Sequence, residues 1–222
     1  MARLARVVVP GLPHHVTQRG NGRRRTFFND DDYRCYRDLL AESCRAADVE
    51  IWSWCLMPNH VHLILVPSDE DGLRRALAPV HRRYAGLVHA RRRRTGHFWQ
   101  GRFGAVAMDE EHLAAALRYV ALNPVRARLV ERAQDWKWSS TRALLSGKPD
   151  GLCALEPIAA RFPHFADLLD LGPDHAAFDR LRRAESVGRP LGDAAFLKRI
   201  EAKTGRILRP GKRGPKPRRP DS

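Results

Sequence analysis

Two histidines stand two residues apart at the head of an apolar, β-branched run, His60-Val61-His62-Leu63-Ile64-Leu65-Val66. In a strand, alternate side chains share a face, so both imidazoles project the same way from a stiff backbone and can grip one cation. Further along, Tyr119-Val120-Ala121-Leu122-Asn123-Pro124 sets a phenol and an amide one helical turn apart. A metal-binding pair, a tyrosine and an amide on a strongly basic chain point to metal-assisted cutting of DNA through a tyrosine nucleophile. Phosphate oxygens are hard ligands, which favours Mg²⁺ or Mn²⁺ over zinc.

Each part also has a plainer reading. A strand histidine is usually structural, and Asn123 in front of Pro124 suits a helix cap. On a helical wheel, Leu113, Leu117 and Val120 form the apolar stripe, and Tyr119 falls off its centre, beside His112, Ala115, Ala116 and Asn123. Small alanines one turn earlier leave room there for a ligand, although a tyrosine flanking the core would fit the same position. A tight hairpin at Pro58-Asn59 would set His62 opposite Cys55 and His60 opposite Met57, with Cys55 packing near the site.

The elements that must hold these groups follow from patterning. His14 to Gln18 reads as a strand closed by Arg19-Gly20-Asn21-Gly22, and Asn29-Asp30-Asp31-Asp32 opens a helix with apolar positions at helical spacing. Val49 to Met57 and His60 to Pro67 form the hairpin. Ser68-Asp69-Glu70-Asp71 starts a second helix running to about Arg94, and Phe98 to Met108 suggests a further strand or extended pair. Asp109-Glu110-Glu111 begins a third helix, expected to stop before Pro124 because the residue preceding proline resists helical geometry. The resulting β-α-β-β-α-β order predicts an α+β, ferredoxin-like split βαβ sheet, followed by the helix bearing Tyr119.

Residues 1–135 read as the catalytic domain, 136–208 as a helical C-terminal region and 209–222 as a disordered basic tail. Asp174 to Ser186 and Asp193 to Thr204 read as two short helices around a glycine-containing turn, a weak match to a helix-turn-helix. The chain has 222 residues, and 43% of them are hydrophobic, enough for one main core with an appendage. Its formal charge is +15, of which residues 202–222 supply +7 from eight basic residues and one acid. The rest is clustered too, so a polyanion, most simply nucleic acid, is the expected partner. Four cysteines without a C-x-x-C pair indicate reduced thiols in a cytoplasmic protein, associated with the nucleoid through DNA. No apolar run approaches a membrane span or a secretory leader.

Taken together, the motifs resemble those of the single-tyrosine HUH endonucleases. Within them the chain is similar to the REP-associated tyrosine transposases, relatives of small insertion-sequence transposases. The residues that carry the resemblance are His15-Val16-Thr17-Gln18-Arg19-Gly20-Asn21, Met57-Pro58-Asn59-His60-Val61-His62, Phe98-Trp99-Gln100-Gly101-Arg102-Phe103 and Arg118-Tyr119-Val120-Ala121-Leu122-Asn123-Pro124-Val125-Arg126-Ala127. A looser echo lies at Gly188-Arg189-Pro190-Leu191-Gly192.

The resemblance implies that Tyr119 is the nucleophile and that His60, His62 and Asn123 hold the metal. It implies cleavage and rejoining of single-stranded or hairpin DNA through a 5′-phosphotyrosine, by a monomer or a homodimer. Arg19, Arg23, Arg24, Arg25, Arg82, Arg83, Arg91, Arg92, Arg93, Arg94 and Arg102 are candidates for phosphate contacts. Trp99, with Phe98 and Phe103, is a candidate for stacking on unpaired bases, though core packing is as natural a role. A non-catalytic nucleic-acid-binding regulator with the same fold is the rival reading. A zinc-stabilised module using His60, His62 and Cys55 is a third.

Overall fold

The β-branched runs pair into one antiparallel sheet in a computed structural model that describes residues 6–171 and 174–208. Along the chain come β1 (His14–Arg19), α1 (Asp30–Ala46), β2 (Val49–Met57), β3 (His60–Pro67), α2 (Gly72–Arg92), β4 (Gly104–Ala107) and α3 (Glu110–Arg126). The strands lie side by side as β2-β3-β1-β4, which interleaves two βαβ halves in the ferredoxin-like α+β manner expected. Then follow α4 (Thr141–Ser146), α5 (Glu156–Arg161), α6 (Phe165–Asp170), α7 (His175–Val187) and α8 (Ala194–Thr204). Among the described residues no helix is long and apolar enough to cross a membrane.

Side-chain caps start α1, α3 and α8 where the sequence signals them, whereas α2 begins after Asp71 without one. Asn29 Oδ1 accepts the Asp32 N–H at 3.0 Å, Asp109 accepts that of His112 at 3.0 Å, and Asp193 that of Phe196 at 2.6 Å. Each bond satisfies one of the amides a helix start leaves open.

The two sheet faces are covered by different parts of the chain. α1 and α2 pack on one face around Val16, Leu63, Leu65, Tyr36 and Tyr84. On the other face α3 packs with the C-terminal helices over Cys55, Met57, Ile64, Val106 and Met108, and Phe165, Phe178 and Leu181 complete that core. Residues beyond 135 therefore share a core with the sheet. The segment after α7 is tied in as well, since Leu191 pairs with Met108 in a parallel bridge. α8 packs Phe196 and Ile200 against Val7 and Val9. The α7–α8 pair is thus fastened along the β4 side and is no freestanding helix-turn-helix.

Two boundaries differ from expectation. α3 continues through Pro124 to Arg126. Proline forgoes one backbone bond there, close to the helix end, and its fixed φ is already helical; Leu129 N–H still reaches the Pro124 carbonyl at 2.9 Å. Of the stretch Phe98 to Met108, only Gly104–Ala107 is strand. Trp99 makes an isolated bridge to Gly20, and Gly101, at φ +147°, breaks the extension. The basic tail 209–222 lies outside the described residues.

Candidate active site

Sheet register brings the first groups together. β1 runs antiparallel to β3 with Thr17 opposite His62 and Arg19 opposite His60, while β2 sets Cys55 opposite His62 and Met57 opposite His60. Alternation then places His15, Thr17 and Arg19 on the same face as His60 and His62. α3 crosses this face and lays the Tyr119 ring edge-on to His62, with centroids 5.2 Å apart, and to His15 at 5.7 Å. The phenol and both histidines belong to one chain.

Hydrogen bonds decide which ring nitrogens are available. His60 Nδ1 lies 2.6 Å from Asn59 Oδ1. An amide oxygen only accepts, so His60 donates there and keeps its Nε2 lone pair open. His62 Nδ1 meets His15 Nε2 at 3.0 Å, with the two ring planes 13° apart. His15 Nδ1 in turn faces Glu185 Oε1 on α7 at 3.5 Å, a charge contact too long for a good hydrogen bond. His62 Nε2 is buried and has no partner. An orphaned buried imidazole nitrogen beside a second imidazole is the donor set a divalent cation fits.

Electrostatics keep the rings neutral. Burial pushes His60 down to about 3, with the Arg19 charge adding to it, and burial alone pushes His15 down to about 4. His62 is driven well below the usual imidazole range by burial first, then by His60, His15, Arg19 and Arg126. All three are therefore in the metal-binding, unprotonated form at neutral pH. Burial lifts the Glu185 carboxyl to about 7 against the pull of Arg19 and Arg182. Tyr119 is raised by burial and by Glu185, and the Arg126 charge opposes this from 4.9 Å over its ring.

Tyr119 opens onto a cleft of about 570 Å³ whose walls include Arg19, Arg23, Arg102, Arg182 and Glu185. Arg24, Arg25, Arg92 and Arg94 line a second hollow of about 290 Å³ with Phe28 and Phe98. Arg82 and Arg102 border a third beside Trp99. Other predicted contacts have structural partners. Arg91 forms a bidentate pair with buried Asp32 at 2.5 and 2.9 Å, and Arg83 pairs with Glu42 at 2.9 Å. Arg93 is the left-handed C-cap of α2. The Trp99 indole N–H donates to the His81 carbonyl at 2.9 Å, and Phe103 is buried in the core. Asn123 is buried one turn beyond Tyr119, and its backbone carbonyl receives the Ala127 N–H.

Sequence reasoning gave no role to His15 or Arg126, although both lie in motifs that carry the resemblance, and did not single out Glu185 or Phe178. His15 carried a usable signal, because strand alternation from Arg19 places it on the histidine face. Glu185 carried none, since only the folded chain brings α7 to the sheet.

Residues 9–123 match the family model described as "Transposase IS200 like", so the chain belongs to the IS200-like transposase family. Within that family its likeness is to REP-associated tyrosine transposases. A Haemophilus influenzae protein (strain ATCC 51907 / DSM 11121 / KW20 / Rd) provisionally named as one is 26% identical over 116 residues. The match spans 47% of this chain and 66% of that protein, just under two thirds of the relative. A solved REP-associated tyrosine transposase bound to a REP hairpin shares the fold, with a TM-score of 0.58 at 22% identity. That match covers 69% of this chain and 92% of the other.

Proposed function

We propose that this protein is a metal-dependent transposase that nicks and rejoins single-stranded or hairpin DNA through Tyr119. The observation that carries the reading is the phenol of α3 lying 5.2 Å from the ring of His62, whose Nε2 is buried and unpartnered. His60 and His62, with Asn123 as a third ligand, would hold a divalent ion. Bound Mg²⁺ or Mn²⁺ would offset charge developing on the scissile phosphate.

The Tyr119 oxygen attacks phosphorus in line. A phosphorus–oxygen bond forms to tyrosine, the bond to the 3′ oxygen breaks, and the products are a 5′-phosphotyrosine and a 3′-hydroxyl. Reversal by another 3′-hydroxyl rejoins DNA without an external energy source. Arg126 favours the phenolate form of Tyr119 by its charge. Arg19, Arg23 and Arg102 in the cleft hold the phosphates on either side of the cut, and Arg24, Arg25, Arg92 and Arg94 extend that track. The approach of Tyr119 to the histidines of its own chain supports a monomer as the cleaving unit.

The test is incubation of a 5′- or 3′-labelled hairpin oligonucleotide with the protein and Mn²⁺, followed by denaturing electrophoresis. A covalent adduct is expected for the wild type and none for Tyr119→Phe, with binding retained. Equal cutting by Tyr119→Phe would remove Tyr119 as nucleophile. Binding without any DNA product, unaffected by chelation, would favour the regulator.

A further inference from the structure

We propose that His15 and Glu185 form a buried relay that fixes His62 with Nε2 as its metal-binding atom, so that α7 sets the metal affinity of a site built on the sheet. The inference rests on the metal-dependent reading above. It begins with three polar atoms that the fold buries without hydrogen-bond partners: His62 Nε2, His15 Nδ1 and Glu185 Oε1. Ligand atoms of these three residues lie within 4.8 Å of one another. Their contacts run in series: carboxylate to imidazole, imidazole to imidazole, then the open nitrogen.

With the Glu185 carboxyl ionised, as it is above about pH 7, only one proton arrangement suits that series. His15 must present Nδ1–H to Glu185, because a lone pair facing Oε1 at 3.5 Å would be repelled. A neutral imidazole carries one proton, so His15 Nε2 is then an acceptor. It receives Nδ1–H from His62 across 3.0 Å. His62 Nε2 is thereby left with its lone pair free for a cation. The opposite arrangement would put a proton on His62 Nε2 and block a cation. His60 reaches the same state by donating Nδ1–H to Asn59. One ligand is thus oriented locally by its neighbour in sequence, and the other by a carboxylate from the C-terminal helix. His15 and Glu185 are positioning residues here, acting on the metal through His62. Such partners of metal-bound histidines are typically worth about 10–100-fold in affinity.

The experiment uses the full-length, metal-free protein and Mn²⁺ alone. Binding is followed by the loss of the free-ion electron paramagnetic resonance signal, and circular dichroism confirms folding. His15→Phe should weaken Mn²⁺ binding by about 10–100-fold. His15→Gln, whose amide oxygen can accept from His62 Nδ1–H, should stay within a few-fold of wild type. Glu185→Gln should weaken binding, but by less than His62→Ala.

Wild-type affinity in folded His15→Phe, or in Glu185→Gln, would overturn the relay alone. So would a loss in Glu185→Gln equal to that of His62→Ala, which would make Glu185 a direct ligand. Affinity insensitive to His62→Ala would overturn the metal site and the relay together. Long-range ¹H–¹⁵N spectra of the metal-free protein give a readout that does not need the cation. The proposal requires the His62 proton on Nδ1, and a proton on Nε2 refutes it.

Discussion

Phe178→Ala tests whether α7 is a structural member of the sheet core. Phe178 is fully buried. Its ring stands edge-on to Tyr119 with centroids 5.2 Å apart, and the Arg126 guanidinium lies 5.1 Å from its centre. Truncating a buried phenylalanine to alanine costs about 3–5 kcal/mol, from lost burial and the cavity left behind. An edge-to-face aromatic pair adds about 0.5–1.5 kcal/mol beyond area. In a domain of this size each kcal/mol moves the melting temperature by about 2–4 °C, so a fall of roughly 7–26 °C is expected.

Differential scanning calorimetry and urea denaturation should both report the loss in one transition. Spectroscopy in the tyrosine region should show Tyr119 becoming more exposed. A change below about 1 kcal/mol, well under the buried-phenylalanine range, would mean that α7 does not pack on α3 in solution. The placement of Glu185 beside His15 would fall with it.

Acid should destabilise the fold through its buried histidines. His81 accepts or donates at Nε2 to the Tyr36 hydroxyl at 3.0 Å, and burial holds it down at about 3. Between about pH 3 and 6.5 the unfolded chain binds a proton there that the native chain does not, so stability falls as pH is lowered through that window. The slope is about 1.4 kcal/mol per pH unit for one such site, and urea midpoints for His81→Gln should show a correspondingly shallower pH dependence. Glu185, raised to about 7, contributes the opposite slope between its ordinary value and neutrality. Gly20→Ala should be costly, because the new Cβ would lie 2.3 Å from the Arg24 carbonyl oxygen, a backbone atom. A loss of about 1–3 kcal/mol is expected, with weaker DNA binding as the Arg23–Arg25 loop shifts; an unchanged melting temperature would contradict the packing.

The sheet and its order were legible because the strands are β-branched runs and the helices start on strong caps at Asn29, Asp109, Asp174 and Asp193. The histidine pair was legible for the same reason, since period-two alternation needs no tertiary information. The helical wheel put Tyr119 off the leucine stripe, yet Tyr119 is buried in one cluster with Leu113, Leu117 and Val120, because the chain does not show what covers that side. The cover is Phe178, and only long-range packing brings it there. The continuation of α3 through Pro124 was hidden because local preference disfavours it while the tertiary environment buries the ring. Several arginines of the basic clusters turned out to brace the scaffold. Arg91 neutralises an aspartate buried at the start of α1, a pairing invisible to a count of charges.

The second face of the sheet is roofed partly by helices made late in synthesis. A ribosome releases β1, β3 and α3 well before α7, so an emerging chain carries its histidines and phenol with no carboxylate behind them. The face of the sheet that carries the histidines is therefore closed only once α7 has been made.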